Sequence, residues 1–395
     1  MDRRLRIRLD DAISPAGIAC LPASRYETGA GLADPDAILV SSRVLSPDDI
    51  PPSVLAVARA GAGVNTLPVE ALTARGVPVF NTPGANANAV KELVIAALLM
   101  GARRLGPARD FVRGLAAGDD YGRRVEEGKR AFAGEEIAGR TLRIVGLGAV
   151  GAKVAEAAMA LGMRVAGFDP ALREGARLPA GLERVASLDE LLPRAQYLTL
   201  HVPLVPATRH LVDASRLAAM PAGAVLLNFA REAVVDEPAV VSALDAGRLA
   251  AYLCDFPSPR LAAHPRAVAF PHLGASTGEA EAACAGEAAR LLRAYLEDGE
   301  IGSAVNFPPV AMARESAHRV ALANANVPNM LGRISTTMAR AGLNIHNMVN
   351  KSQGPMAYTL VDLDSAPGAE ALAALSAIEG VLAVRFLPVL PEAEP

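Results

Sequence analysis

TLRIVGLGAVGAKVAEAAMALGMRVAGFD, residues 141–169, is the stretch that decides the fold of this chain. An apolar strand, LRIV, leads into glycines in a G-x-G-x-x-G frame, and a helix and a second strand follow. Gly146 permits a tight turn, Gly148 lets the backbone approach a pyrophosphate, and Gly151 lets the helix pack closely on the strand. The pattern predicts a dinucleotide site at a helix N-terminus. A glycine-rich turn with a purely structural role is the alternative.

The second strand of this unit ends in Asp169, 18 residues past Gly151. A carboxylate at this place accepts hydrogen bonds from both ribose hydroxyls and repels a 2′-phosphate. The sequence therefore favours NAD over NADP as the cofactor. Arg173, four residues further on, leaves NADP open.

Composition excludes several classes of function. The chain has 395 residues, 51% hydrophobic and 21% charged, with a formal net charge of -3, which fits two or three packed domains and no nucleic-acid partner. Cys20, Cys254 and Cys284 lack metal-ligand spacing, so we expect no metal site and a reducing, cytoplasmic location. The chain shows no secretory signal and no uncharged apolar run of about 18 residues, so we expect no membrane span.

The remaining sequence alternates strands and helices. Apolar runs ending in turns recur from DAILVSS (residues 36–42) to RAVAFPHLG (residues 266–274), and this rhythm predicts a doubly wound parallel sheet. Helical spacing predicts long helices over 88–105 and 279–297. The opening MDRRLRIRLDD alternates arginine with leucine and isoleucine, as an edge strand would. After a Pro-rich linker, the last segment reads strand, helix, strand, strand, helix, strand, the order of a ferredoxin-like module.

Two polar residues stand at the ends of predicted buried strands beyond the glycine loop. Oxidation at a hydroxyl carbon needs a group that takes the hydroxyl proton and a cation that holds a carboxylate. His272, in PHLGAST, and Arg231, in NFAREAVVDE, meet these needs by position. A capping histidine, and an arginine paired with Glu232 or Asp236, are the alternatives.

The chain resembles a known family on these residues. VGLGAVG, Asp169, HVPLVPATRH, NFAREAVVDE, CDF and PHLGAST, in this order and spacing, are similar to the D-isomer-specific 2-hydroxyacid dehydrogenases. Upstream, RAGAGVNTLPVEALTARGVPVFNTPGANANAVKELV resembles the branch that oxidises 3-phospho-D-glycerate. NVPNMLGRISTTMARAGLNIHNM resembles the ACT regulatory domain. The resemblance covers essentially the whole chain.

The family implies an α/β architecture with one domain inserted in another. A flavodoxin-like substrate domain would comprise residues 1–90 and 275–300, and a doubly wound (Rossmann) NAD-binding domain would occupy 91–274. A linker, 301–317, and an ACT-like ferredoxin-like βαββαβ domain, 318–395, would follow. The family also implies an active site in the cleft between the first two domains. It further implies a homodimer or homotetramer.

The resemblance also assigns roles to residues. His272 is the acid/base, Arg231 holds the substrate carboxylate and keto oxygen, and Asp255 lies near the nicotinamide. The cofactor-binding set is Gly146, Gly148, Ala149, Val150, Gly151, Asp169, Pro203, Thr208, Phe229, Ala230, Arg231, Asp255, His272, Gly274 and Ala275. The substrate set is Ser42, Arg43, Ala62, Gly63 and Asn81, in which Arg43 is either the cation for a phosphate or part of a surface ion pair. The effector set of the ACT-like module is Asn324, Asn326 and Asn344, which alternatively cap turns.

Two positions depart from the family pattern. The family places a glutamate five residues beyond the aspartate of CDF, where it orients the histidine, and this chain has Arg260 there. Loss of that carboxylate lowers the pKa of the histidine and loosens its tautomer, unless Asp255 or another acid replaces it. Glu232 stands where the family commonly has glycine.

Three functions fit these observations. The first is NAD-dependent oxidation of 3-phospho-D-glycerate, a phosphorylated hydroxy acid, to 3-phosphohydroxypyruvate in serine biosynthesis, with serine as the effector of the terminal module. The second is another D-2-hydroxyacid dehydrogenase, such as a hydroxypyruvate or glyoxylate reductase. The third is an NAD-sensing binding protein with little turnover.

Overall fold

The computed structural model describes residues 4–172 and 175–389. Packing divides the chain into two compact units, one formed by Met1–Asn86 with Gly278–Pro395 and the other by Ala87–Thr277. The predicted bounds of the nucleotide-binding domain, 91–274, differ from those of the second unit by four residues at one end and three at the other.

The first unit begins with a parallel sheet. Its strands are β1 (Leu5–Asp10), β2 (Tyr26–Gly29), β3 (Ala37–Val40), β4 (Ala56–Arg59) and β5 (Val79–Phe80), and helix α1 (Val69–Ala74) joins the last two. The spatial order β2-β1-β3-β4-β5 is the flavodoxin-like order. The prediction of β1 as an edge strand is wrong, because β2 covers its outer side. Its arginines are matched by acids, as in the ion pair of Arg8 with Asp10 at 3.0 Å.

The second unit is a doubly wound sheet. Its strands are β6 (Thr141–Val145), β7 (Arg164–Phe168), β8 (Glu183–Arg184), β9 (Tyr197–Leu200), β10 (Ala224–Asn228), β11 (Leu249–Cys254) and β12 (Ala267–Ala269). Its helices are α2 (Ala87–Ala102), α3 (Leu105–Gly114), α4 (Tyr121–Gly128), α5 (Ala149–Ala160), α6 (Leu188–Leu191), α7 (Ala214–Ala219), α8 (Glu237–Asp245) and α9 (Pro259–Ala263). The order β12-β11-β10-β9-β6-β7-β8, with every pair parallel, confirms the predicted Rossmann-like sheet.

The chain then returns to the first unit. Helix α10 (Gly278–Asp298) packs Ala288, Leu292 and Leu296 into the core of the N-terminal sheet. The terminal module follows as β13 (His318–Ala325), α11 (Met330–Arg340), β14 (Ile345–Gln353), β15 (Met356–Leu363), α12 (Ala369–Ser376) and β16 (Val381–Pro388). Its antiparallel order β14-β15-β13-β16 confirms the predicted ferredoxin-like module.

The terminal module is not a separate body on a flexible tether. Within the predicted linker, Ile301, Phe307 and Val310 are buried in the core that also holds Tyr358 and Leu360 of β15. One face of the terminal sheet therefore packs on the N-terminal half of the unit, while α11 and α12 cover the other face. Proline content indicates an absence of regular structure, but it does not indicate exposure.

Arginines of the terminal module also bind the C-terminal carbonyls of α10. Arg319 donates to the carbonyl of Asp298 at 3.2 Å, and Arg385 donates to the carbonyls of Tyr295 and Leu296 at 3.3 Å. Arg319 is fully buried and forms a two-pronged ion pair with buried Asp362 at 2.7 and 2.9 Å. These contacts satisfy helix-end carbonyls that would otherwise need water.

Among the described residues, no helix is long and apolar enough to cross a membrane.

Candidate active site

The predicted cofactor residues lie at one edge of the doubly wound sheet. The glycine loop follows β6, Asp169 follows β7, Phe229 to Arg231 follow β10, Asp255 follows β11, and His272 follows β12. All these strands run parallel, so their carboxyl ends share an edge, and β6 and β9 flank the point where the strand order reverses. Ligands of such sheets bind at this point.

The glycine loop has the shape of a diphosphate cradle. Gly146 has φ +92°, and a Cβ there would lie 2.3 Å from the carbonyl oxygen of His201. A Cβ on Gly151 would lie 2.0 Å from the carbonyl oxygen of Gly146. Gly148 caps α5, and a Cβ there would meet no atom within 4 Å. Space beside this cap and the N–H groups at the start of α5, which include those of Ala149 and Val150, fit a bound pyrophosphate.

Asp169 is fixed beside this loop. One carboxylate oxygen accepts a hydrogen bond from the backbone N–H of Leu147 at 2.9 Å, and the other accepts from that of Ala171 at 2.9 Å. The half-buried carboxylate thus has the anchored position that a ribose-binding acid needs. Arg173, which left NADP open, lies outside the described residues.

The other predicted cofactor residues form two further turns at this edge. The Thr208 hydroxyl donates to the carbonyl of Pro203 at 2.6 Å and closes the turn after β9. Phe229 and Ala230 are buried after β10. The side chain of Asn228 holds that turn, because it accepts from the N–H of Ala230 at 3.1 Å and donates to the carbonyl of Arg231 at 2.9 Å.

Arg231 presents its guanidinium on this edge. The residue is exposed, and Nη1 donates to the carbonyl of Ala230 at 2.7 Å. Among the described residues, no carboxylate lies within 4.0 Å of the guanidinium, so the alternative of an ion pair with Glu232 or Asp236 is absent. Asp236 instead caps α8 by accepting from the N–H of Ala239. The guanidinium is therefore open to an anionic ligand.

His272 is exposed and has an unusual backbone. Its φ is +56°, in the left-handed region that a residue with a Cβ rarely adopts. The ring of Phe256 meets the imidazole edge-on, with 5.3 Å between ring centroids. The ring does not point into packed interior, which is the arrangement that an acid/base requires.

Asp255 contacts the turn that contains His272. Its carboxylate oxygens accept hydrogen bonds from the N–H groups of Leu273 and Gly274, each at 2.7 Å. The residue is only 2% exposed. Both oxygens are thus directed at the turn that contains His272. Ala275 lies just beyond this turn, where its carbonyl accepts from the N–H of Thr277 at 3.0 Å.

His201 does not compete with His272 for the acid/base role. Burial lowers the pKa of His201 to about 3, so this imidazole is neutral at neutral pH. Its Nε2 lies 3.0 Å from the Thr199 hydroxyl. The histidine that follows β9 therefore has a packing role.

The predicted substrate residues of the first unit follow β3, β4 and β5 at the carboxyl edge of the N-terminal sheet. The Asp11 carboxylate accepts from the N–H groups of Ser42 and Arg43 at 2.7 and 2.6 Å. The guanidinium of Arg43, whose side chain is 49% exposed, lies 3.7 Å from Asp10 and 3.6 Å from Asp49. These distances support the simpler alternative, a surface ion pair.

The loop after β4 is held by its carbonyl groups. Asn81 donates to the carbonyl of Ala62 at 2.7 Å, and Arg59 donates to the carbonyls of Ser41, at 2.8 Å, and Gly63. Among the described residues, the N–H groups of Ala62 and Gly63 have no acceptor. Sequence reasoning missed Arg59, although its place at the end of an apolar strand, directly before AGAG, was a usable signal.

The terminal module contains a cavity of about 200 Å³ beside the start of α11. Asn324 and Asn326 line it together with Asn329 and Asn350. Asn324 is 1% exposed, and its Oδ1 has no hydrogen-bond partner among the described residues. The placement of Asn344 with this group is wrong: it precedes β14 at the opposite end of the sheet and donates to Asp364 at 2.6 Å.

The doubly wound sheet, the glycine loop and Asp169 beside it are features of a dinucleotide-binding fold. A family model for the NAD-binding domain of D-isomer-specific 2-hydroxyacid dehydrogenases matches residues 95–274. The chain is 32% identical to the D-3-phosphoglycerate dehydrogenase of Haemophilus influenzae over 351 residues, which are 85% of this chain and 82% of that protein. The Escherichia coli enzyme of the same name is 32% identical over 340 residues, 82% of this chain and 79% of that one.

Solved structures agree in fold. The TT0316 protein of Thermus thermophilus has a TM-score of 0.64 at 30% identity and covers 76% of this chain and 100% of its own. An NADPH-dependent glyoxylate/hydroxypyruvate reductase of Sinorhizobium meliloti has a TM-score of 0.65 at 28% identity, over 76% of this chain and 98% of its own. The chain belongs to the D-isomer-specific 2-hydroxyacid dehydrogenase family and is an NAD-dependent oxidoreductase, as predicted.

Proposed function

We propose that this protein oxidises 3-phospho-D-glycerate to 3-phosphohydroxypyruvate with NAD, as a D-3-phosphoglycerate dehydrogenase. The observation that carries the proposal is the extent of the similarity, since enzymes of this name match about four fifths of both chains. The anchored Asp169 supports NAD as the cofactor, because its carboxylate disfavours a 2′-phosphate.

The chain's own residues divide the work as follows. His272 takes the proton from the C2 hydroxyl as the C2–H bond breaks and the C–O bond becomes a carbonyl. Arg231 holds the substrate carboxylate and the developing carbonyl oxygen, because its open guanidinium offers paired N–H donors. NAD, when bound, supplies the nicotinamide that accepts the hydride. The glycine cradle and Asp169 hold the diphosphate and ribose of that cofactor.

The first unit offers anion donors of its own in the loop after β4. Its carbonyls are bound by Asn81 and Arg59, and this leaves the N–H groups of Ala62 and Gly63 for a ligand oxygen. Ser42 and Arg43 follow the neighbouring strand. We assign Ala62, Gly63 and Asn81 to substrate binding. Arg43 is a poorer candidate, because its guanidinium already pairs with Asp10 and Asp49.

A spectrophotometric assay of NADH and NADPH tests this function. The acids to compare are 3-phospho-D-glycerate, D-glycerate and D-lactate in the oxidative direction, and hydroxypyruvate and glyoxylate in the reductive direction. We expect the highest kcat/KM for the phosphorylated acid with NAD. Preference for unphosphorylated hydroxypyruvate or glyoxylate would instead identify a reductase. Tight NAD binding without turnover of any acid would identify a sensor.

The terminal module supports a second activity, binding of an amino-acid effector such as serine. The buried amide oxygen of Asn324 has no partner, which costs free energy, and Asn324 lines a cavity together with three further asparagines. Donors and acceptors of this kind match an α-ammonium and a carboxylate. Calorimetric titration with serine, alanine and glycine, for the wild type and Asn324→Ala, tests it. Saturable binding in the wild type that is lost in the variant is expected, and no heat with any amino acid contradicts it.

A homo-oligomer is the assembly that fits the exposed apolar side chains of the second unit. Leu105 and Val112 of α3 and Tyr121 of α4 are 48%, 44% and 38% exposed. Isolated apolar side chains are normal on surfaces, but three on adjacent helices favour a contact. Light scattering of the eluted protein tests this, and a monomer at micromolar concentration contradicts it.

A further inference from the structure

The turn that contains His272 lacks the carboxylate partner that the family pattern supplies. Arg260, at the position of the family's glutamate, is exposed. Among the described residues, no side chain donates a hydrogen bond to the imidazole or accepts one from it, and the ring of Phe256 contacts it edge-on. Something else must fix this imidazole if it is to take a proton in a reproducible geometry.

Asp255 holds the backbone of the turn at residues 272–274 by hydrogen bonds. Its two carboxylate oxygens accept from the N–H groups of Leu273 and Gly274 at 2.7 Å, and its carbonyl at 3.1 Å shares the N–H of His272 with the carbonyl of Phe270 at 3.0 Å. Three successive N–H groups thus bind one residue. Because carboxylate–amide hydrogen bonds are strong in a buried setting, they hold His272 in a left-handed conformation that its own side chain disfavours.

The contact at Gly274 is tight, so a side chain there would require its neighbours to shift. A Cβ on Gly274 would lie 3.0 Å from Oδ2 of Asp255 and 3.5 Å from Cγ2 of Val90. Burial raises the pKa of Asp255, while the two backbone hydrogen bonds and the nearby His272 lower it. The net effect is a raised pKa for Asp255, with burial as the largest cause.

We propose that Asp255 is the positioning residue for His272, and that it replaces the missing glutamate by holding the backbone of the turn instead of hydrogen-bonding the imidazole. The inference rests on the proposed function, in which His272 takes the substrate proton. Phe256 restricts the ring from the side, so backbone and ring are each held by one of two consecutive residues after β11.

A double-mutant cycle on the full chain tests the coupling. Asp255→Asn should lower kcat about 10- to 100-fold. The dissociation constant for NAD should stay within about threefold. Added to His272→Ala, the same change should cost little more, because Asp255 acts through the imidazole. The matched control is Asp213→Asn, which alters the carboxylate that accepts from the N–H of Arg216 at the start of α7, and which should leave kcat unchanged. Losses that multiply in the double variant overturn the proposal.

Two further measurements keep the proposal testable if Asp255→Asn folds poorly or the wild type is inactive. Gly274→Ala disturbs the same contact from the opposite side without changing charge, and it should lower kcat in the same way. Amide hydrogen exchange of residues 272–274 needs no turnover, and it should accelerate in both variants but not in Asp213→Asn. Wild-type protein that oxidises no hydroxy acid would reject the proposed function alone. Unchanged exchange in both variants would reject the positioning role alone.

Discussion

Asp255 in the nucleotide-binding unit and Asn324 in the terminal module are both buried polar residues at strand ends, with exposures of 2% and 1%. They differ in how their acceptors are used. Both oxygens of Asp255 accept backbone hydrogen bonds, whereas Oδ1 of Asn324 accepts none among the described residues. A satisfied buried group builds local structure, whereas an unsatisfied one calls for an explanation. In the functions proposed above, Asp255 positions the catalytic turn and Asn324 belongs to an effector site.

Removal of His272 should have the largest effect on kcat, because it deletes the proposed acid/base from the turn that Asp255 holds. We expect His272→Ala to lower kcat by about 10²- to 10⁴-fold, since no other described side chain is placed to take the proton. Steady-state kinetics and an NAD titration measure it. His346→Ala, in the terminal module, is the control. An unchanged rate would remove His272 from the mechanism.

The ion pair of Arg319 and Asp362 is a further case of buried polar groups with partners, and it should contribute to the stability of the folded state. Both side chains are fully buried, so Arg319→Met leaves a carboxylate uncompensated. We expect the free energy of unfolding to fall by about 3–5 kcal/mol, measured by urea denaturation. Arg340→Met, at the exposed end of α11, should cost less than about 0.5 kcal/mol. Equal midpoints for the two variants would show that the pair contributes nothing.

The Arg231→Lys substitution tests whether the open guanidinium of this residue binds the acid. Arg231→Lys keeps the charge but removes the paired donors, so kcat/KM for the acid should fall about 10- to 100-fold, equivalent to about 1.5–3 kcal/mol. Initial rates over a range of acid concentrations measure it. An affinity for NAD unchanged alongside this loss would assign the residue to the acid. Full activity of the lysine variant would leave it without a role.

The buried ion pair of Arg319 and Asp362 also predicts that the stability of the folded state depends on pH. Burial alone raises the pKa of Asp362, but hydrogen bonds from Arg319 and from the N–H of Glu315 hold it below its ordinary value. A lowered pKa stabilises the folded state above the unfolded pKa, about 3.9, and this contribution disappears as pH falls through the folded pKa. Urea denaturation should therefore show stability falling more steeply below about pH 4 in the wild type than in Asp362→Asn. Parallel curves would contradict this.

The smallest effect concerns Asn324. Because Oδ1 has no partner, Asn324→Ala should change the free energy of unfolding by less than about 1 kcal/mol, while it abolishes any amino-acid binding. Thermal unfolding with and without serine measures both. A large destabilisation without ligand would show that the residue is structural, as the turn-capping alternative holds.

Much of this arrangement was readable from local pattern. The glycine frame, Asp169 and the strand-end positions of Arg231 and His272 predict one sheet edge, because parallel strands bring their carboxyl ends together. The sequence named Asp255 as a possible replacement for the glutamate, but not the N–H groups it binds, because these lie 18 and 19 residues further along the chain. Likewise, no local signal separates Asn344 from Asn350, because strand pairing alone decides which of them reaches the cavity.

Transfer of deuterium from C2 of the substrate tests the central claim most directly. The wild-type protein, NAD and [2-²H]-3-phospho-D-glycerate are incubated together, and the reduced cofactor is analysed by mass spectrometry. The account predicts one deuterium in each NADH formed, together with loss of nearly all product in His272→Ala. NADH without deuterium, or an equal yield from the variant, would contradict it.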